Sequence, residues 1–118
     1  MRTIKFRIWD NLTNEMYYDA LVGNCEGEST VPCVYLHDVG WAHTDNCVVE
    51  QFTGLYDKNG TDIYEGDIVL YYASGFATIE FIAGGFHIVQ EEYGFDFMGQ
   101  MLAAIEVIGN IFDNKELL

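Results

Sequence analysis

The sequence is poor in positive charge. Five Lys and Arg (Arg2, Lys5, Arg7, Lys58 and Lys115) stand against 19 Asp and Glu, for a formal net charge of −14. Non-specific affinity for DNA or RNA comes from neutralising phosphates with Lys and Arg. A chain this acidic cannot do so over a wide surface, and we expect no direct nucleic-acid binding. Anionic membranes are disfavoured for the same reason. Long apolar runs are also missing. The nearest is 68–89, which has one formal charge, Glu80, but is broken by Gly75, Gly84 and Gly85 and alternates with period two. Strands joined by turns explain that stretch better than a spanning helix. The first residues, Met1 to Arg7, start like a strand with no apolar leader behind them. With three cysteines only (Cys25, Cys33 and Cys47), this points to reduced thiols in a cytoplasm.

Catalytic signatures are lacking as well. Ser74 to Glu80 is no Gly-x-Ser-x-Gly elbow, and Gly84-Gly85 lacks the helix and Lys of a phosphate loop. Glu91-Glu92 and the Glu65-x-Asp67 pair read as solvated loop charges in a chain rich in acids. The chain is therefore expected not to be an enzyme and to carry no cofactor.

What remains is abundant apolar and aromatic material. Half the residues are hydrophobic, with 8 Phe and 8 Tyr, which is too apolar for intrinsic disorder. At 118 residues the chain suits one domain, 1–118, with sub-lobes at 1–50 and 51–118. A chain of this size buries about 65–70% of its unfolded surface, enough for a core without metal or disulfides. Residues 3–9 alternate as a half-buried strand, with Ile4, Phe6 and Ile8 inward and Lys5, Arg7 and Trp9 outward. Asp10 to Asn14 turns that strand into a hairpin. Residues 23–33, with the only proline, Pro32, read as a loop. Short strands follow at 34–36 and 47–52.

The stretch 67–89 reads as a three-stranded meander, with Ile68 to Tyr72 apolar on both faces. In its second strand Ala77, Ile79 and Phe81 point inward. Phe97, Met101 and Leu102 would share a helical face, against the weakening effect of Gly94 and Gly99. Ile105 to Ile108 is a last strand that returns to pair with earlier ones and buries Ile108, and Asn114 caps a final turn. The expected fold is mainly β with little helix, either a small barrel-like sheet or two packed β-lobes.

The longest motif runs Gln51-Phe52-Thr53-Gly54-Leu55-Tyr56-Asp57-Lys58-Asn59-Gly60 and resumes at Ile63-Tyr64-Glu65-Gly66-Asp67-Ile68-Val69. Its glycines allow positive φ, its Asp and Asn make turn hydrogen bonds, and its Ile and Val fill a core. Thr53, Tyr56, Asp57, Tyr64, Glu65 and Asp67 are the candidate binding residues. Two shorter motifs flank it, Lys5-Phe6-Arg7-Ile8-Trp9-Asp10 and Ile105-Glu106-Val107-Ile108-Gly109-Asn110-Ile111-Phe112. In these three segments the chain resembles the YopX family. The resemblance implies a phage or prophage origin, hence a bacterial host cytoplasm, and a β-rich fold. It brings no catalytic or cofactor residues.

The metal candidates are Cys33, His37, His43 and Cys47, with Cys25 upstream. Cys33-x₃-His37 and His43-x₃-Cys47 each match a ligand pair, but the set lacks the close cysteine pairs of most zinc sites. Tyr17, Tyr18, Tyr71, Tyr72, Phe76 and Phe86 are enough rings to stack on bases, yet without a basic groove core packing explains most of them. Three functional readings follow. The first is an accessory factor that binds a protein partner or a second copy of itself. The second is an acidic DNA mimic that inhibits a host DNA-binding protein. The third is an enzyme with a cryptic Cys/His site.

Overall fold

A computed structural model describes residues 3–24, 32–36, 40–43, 46–71, 75–90, 94–97 and 104–118. The fold is mainly β, and among the described residues every strand pairing is antiparallel. The chain divides into two compact units, Met1–Gln51 and Phe52–Leu118.

The first unit holds β1 (Phe6–Asp10), β2 (Glu15–Asn24), β3 (Pro32–Leu36), β4 (Gly40–His43) and the start of β5 (Cys47–Tyr56), in the order β4-β3-β2-β1-β5. Three residues separate the end of β4 from the start of β5, so that link spans at most about 14 Å. Four strand spacings in a flat sheet would need about 19 Å. The sheet must therefore curl to bring its ends together. The Asp10 carboxylate accepts the Leu12 N–H at 2.8 Å, and Asn14 takes a φ of 56°, closing the β1–β2 turn. Ile8 and Ala20 are buried there, with Tyr17, Val22, Cys47 and Val49 packed against them.

Two expectations for this unit change. β1 is not half-buried, because Arg7 and Trp9 are buried as well as Ile8, while Ile4 is exposed. β1 lies between β2 and β5, and the Arg7 charge is met by the Glu50 carboxylate at 2.9 Å, directly opposite in register. The loop expected over 23–33 is shorter at both ends. Gly23 and Asn24 finish β2, while Pro32 and Cys33 begin β3, where a proline is tolerated as the first residue.

The second unit holds the rest of β5, β6 (Asp62–Tyr64) and a five-stranded sheet. That sheet runs β10-β9-β8-β7-β11, from β7 (Asp67–Tyr71), β8 (Phe76–Ile82), β9 (Gly85–Gln90), β10 (Gly94–Phe97) and β11 (Ile105–Asn110). The expected meander is β7-β8-β9, and β11 returns to pair with β7. Ile63, Val69, Tyr71, Ala77, Ile79, Ile88 and Ile105 form the core.

Three details differ from expectation. Gly94–Phe97 is a strand on β9 rather than the start of a helix, and Met101 and Leu102 lie outside the described residues. Phe81 is 54% exposed at the end of β8, edge-on to Phe86 at 5.1 Å, because β8 there runs into the Ile82–Gly85 turn. Ile105, not Ile108, is the fully buried residue of β11. The register shifts between Val107 and Gly109, and that bulge takes Ile108 out of the core.

Candidate functional site

The long motif folds into one continuous device in the second unit. Its β5–β6 hairpin pairs Phe52 with Tyr64 and Tyr56 with Asp62, leaving extra residues on β5. Gly54, at a φ of 86°, and the Thr53 hydroxyl absorb them. Thr53 Oγ1 donates to the Ile63 carbonyl at 2.7 Å and accepts the Leu55 N–H at 3.1 Å. At the tip, Gly60 N–H donates to the Asp57 carbonyl and Asp57 N–H to the Thr61 carbonyl, with Gly60 at a φ of 81°. This is the pattern of a three-residue hairpin loop closed by a left-handed glycine.

The buried Asp57 carboxylate holds that loop onto the edge of the sheet. Oδ1 accepts the N–H groups of Asn59 at 2.8 Å and Thr61 at 2.9 Å, and Oδ2 accepts that of Val107 at 2.9 Å. Lys58 N–H donates to the Ile105 carbonyl at 3.2 Å. Ile105 and Val107 lie on β11, whose other side is taken by β7, so the loop covers an edge that would otherwise offer its backbone groups to another strand. Lys58 and Asn59 also reach Glu106, at 3.5 and 3.4 Å. Burial pushes the Asp57 carboxyl up. The Val107, Thr61 and Asn59 N–H groups and the Lys58 charge outweigh it, and the group ends below its ordinary value.

Asp67 plays a similar part at the next turn. It is 2% exposed, and its Oδ2 accepts the Tyr64 N–H at 2.8 Å. Gly66, at a φ of 83°, donates to the Ile79 carbonyl and accepts from Ile111, tying the turn to β8 and to the chain beyond β11. Of the six candidate binding residues, then, Thr53, Asp57 and Asp67 are buried and bonded to backbone, and Tyr64 is buried 5.6 Å from the Phe52 ring. Glu65 is half-buried, and Tyr56 is half-exposed with its ring 5.7 Å from Phe52.

Among the described residues no group of three or more His, Cys, Asp or Glu could hold a metal. Cys25 and His37 lie outside those residues. Cys33 and His43 occupy opposite register positions on β3 and β4. Cys47 is on β5 opposite Asp10, where burial and the Asp10 charge push its thiol up, away from the thiolate that binds metal or attacks an electrophile.

A different surface emerges on the outer face of the five-stranded sheet. Register places Glu106, Leu70 and Phe76 side by side across β11, β7 and β8. Leu70 and Phe76 are exposed. Further along the same face stand the pairs Thr78–Val89 and Glu80–His87. Ile68 to Tyr72 reads as apolar on both faces, and Ile68 is indeed fully buried on this same face; within β7 only Leu70 reaches water, which the sequence does not mark.

These features define a small antiparallel β protein whose most distinctive motif is spent on turns and on one sheet edge. The family model described as YopX protein matches residues 5–118, and the chain belongs to that family. Two solved structures share the fold. Protein EF1440 from Enterococcus faecalis is 26% identical, with a TM-score of 0.67, covering 100% of this chain and 99% of its own. Protein yopX from Bacillus subtilis is 21% identical, with a TM-score of 0.68 and the same coverage. No curated protein matches the sequence. Among the described residues no helix is long and apolar enough to cross a membrane.

Proposed function

We propose that the chain is a non-enzymatic protein-binding accessory factor of phage or prophage origin, working in the host cytoplasm. The observation that carries this reading is the exposed cross-strand pair Leu70–Phe76, set between Glu106 and Glu80 on the outer face of the five-stranded sheet. Apolar side chains facing water inside a charged rim mark interaction surfaces. Supporting it, the Asp57 and Asp67 carboxylates and the Thr53 hydroxyl, which would be first choices for chemistry, are bonded to backbone instead. Glu106 already faces Lys58, so that side of the rim carries both signs, and the partner is one that brings apolar anchors to Leu70 and Phe76.

The test compares wild type with a Leu70→Ser/Phe76→Ser double variant, checked for an unchanged circular dichroism spectrum. A host protein identified with the immobilised wild type should be lost with the variant. Retention of that protein by both would move the site elsewhere. Failure of either protein to retain a partner, with both monomeric by sedimentation, would remove the protein-binding reading.

A further inference from the structure

The chain contains one Asn-Gly step, Asn59-Gly60, and it sits at the tip of the loop that closes the β11 edge. We propose that Asn59 is a site of spontaneous conversion to aspartate and isoaspartate, gated by opening of the Asp57 loop, and that isoaspartate there releases the outer edge of β11. In this reaction the Gly60 backbone nitrogen attacks Asn59 Cγ. The new N–Cγ bond forms as the Cγ–Nδ2 bond breaks, and Nδ2 leaves as ammonia with the amide proton. Water then opens the five-membered imide. Attack at Cγ gives aspartate, while attack at the main-chain carbonyl gives isoaspartate, with the backbone running through Cβ and Cγ.

Two observations bear on where this happens and when. Asn59 and Gly60 are exposed, and nothing lies within 4 Å of the position a Gly60 Cβ would take, so no side chain shields the attacking nitrogen on that side. In the closed loop, however, that nitrogen is committed. Gly60 N–H donates to the Asp57 carbonyl at 3.0 Å, and the Asn59 N–H is held by Asp57 Oδ1 at 2.8 Å. The nitrogen must leave its acceptor and turn toward Cγ, so the reaction proceeds from the open loop, whose population is a local unfolding equilibrium.

The consequence follows from chain length. Isoaspartate adds a backbone atom to a loop in which Asp57 must accept Asn59, Thr61 and Val107 together while Lys58 reaches Ile105. The contacts that span the inserted atom are Gly60 N–H to the Asp57 carbonyl and Thr61 N–H to Asp57 Oδ1, so a longer loop gives these up first, and the Asp57 carboxylate they hold in place is then released from Val107 N–H.

The experiment incubates the whole chain at mildly alkaline pH, folded and in urea, and reads Asn59 by peptide mass spectrometry with chromatographic separation of the isoaspartyl form. The folded chain should convert at least about tenfold more slowly than the unfolded one, as loop opening governs access. Asp57→Asn should accelerate conversion in the folded state, and Asn59→Gln should suppress it. Should Asp57→Asn fail to fold, sub-denaturing urea on wild type gives the same test, with the rate rising before global unfolding. The purified isoaspartyl form should show faster amide exchange at Val107 than its parent. Equal rates in folded and unfolded chain would overturn the gating, and unchanged Val107 exchange would overturn the release of the edge.

Discussion

The Asp57 carboxylate offers the sharpest test of how this fold is held. Replacing it with Ala removes three hydrogen bonds to a charged acceptor, each contributing about 1.5–3 kcal/mol. The sum overstates the loss. Asn59 and Thr61 are exposed, and water can replace the carboxylate at their N–H groups. Val107 N–H can be hydrated only if the loop lifts, which also costs the Lys58–Ile105 bond. We expect Asp57→Ala to cost about 2–4 kcal/mol, a large part of a typical stability of about 5–15 kcal/mol. In Asp57→Asn the amide oxygen can keep Asn59 and Thr61 while its NH₂ meets the Val107 N–H, donor against donor. That costs about 1–3 kcal/mol.

The pH dependence has a definite sign. The folded carboxyl lies below its ordinary value of 3.8, so the unfolded chain binds the proton more readily. The charged form therefore stabilises the fold fully above that value, and the contribution is lost as pH falls through it toward the folded pKa. Urea unfolding of wild type and Asp57→Asn should show a constant gap between pH 5 and 7 that narrows below 3.8, at unchanged m. A cost under about 0.5 kcal/mol, the range of ordinary surface substitutions, or a gap that ignores acid, would refute the edge-closing role.

Four further outcomes are expected. Arg7→Met takes the guanidinium away from the buried Glu50 carboxylate and should cost about 3–5 kcal/mol, while Arg7→Met/Glu50→Leu should recover most of it, as a double-mutant cycle in urea will show. Ile105→Ala should cost about 2–5 kcal/mol, and Ile108→Ala distinctly less, because only Ile105 is fully buried. A reversed order in the same assay would put the bulge elsewhere. Gly109→Ala drives a Cβ onto the Asn114 carboxamide, 2.5 Å from Cγ, and displaces the oxygen that accepts the Asn110 N–H. A loss of about 1–3 kcal/mol should follow, and Gly109→Ala/Asn114→Gly, which also removes the Asn114 Cβ 3.0 Å away, should lose no more than Asn114→Gly alone. Fluorescence anisotropy should detect no binding of single- or double-stranded oligonucleotides at physiological salt, where non-specific binders reach about 10⁻⁴–10⁻⁶ M. Arg7 is buried on Glu50 and Lys58 meets Glu106, which leaves little cationic surface for phosphate.

Much of the local structure was legible in the residues. The Asp10–Asn14 turn, the 67–89 meander, the return of Ile105 onto an earlier strand and the positive φ of Gly60 and Gly66 all follow from period-two alternation broken by turn formers. Asn114 shows where such reading stops. It sits ahead of the final 3-10 turn, Lys115–Leu117, as a cap should, yet its side chain makes no cap bond there. It reaches back to Asn110, whose own carboxamide holds Phe112, Asp113 and the Asp113 carboxylate. Glu50 was likewise unmarked as a partner, since nothing near it in sequence announces Arg7, 43 residues away.

The residues alone decide what each short stretch can be: strand or turn, apolar or charged, with five cations against 19 acids in the whole chain. These are local and additive properties, written in neighbours and in composition. They do not decide which far-apart groups meet. That Asp57 accepts Val107, that the Val107–Gly109 bulge excludes Ile108 from the core, and that Leu70 and Phe76 stand together facing water are matters of register between strands. A shift of one residue in register carries every side chain to the opposite face, and register is set only when the whole sheet packs.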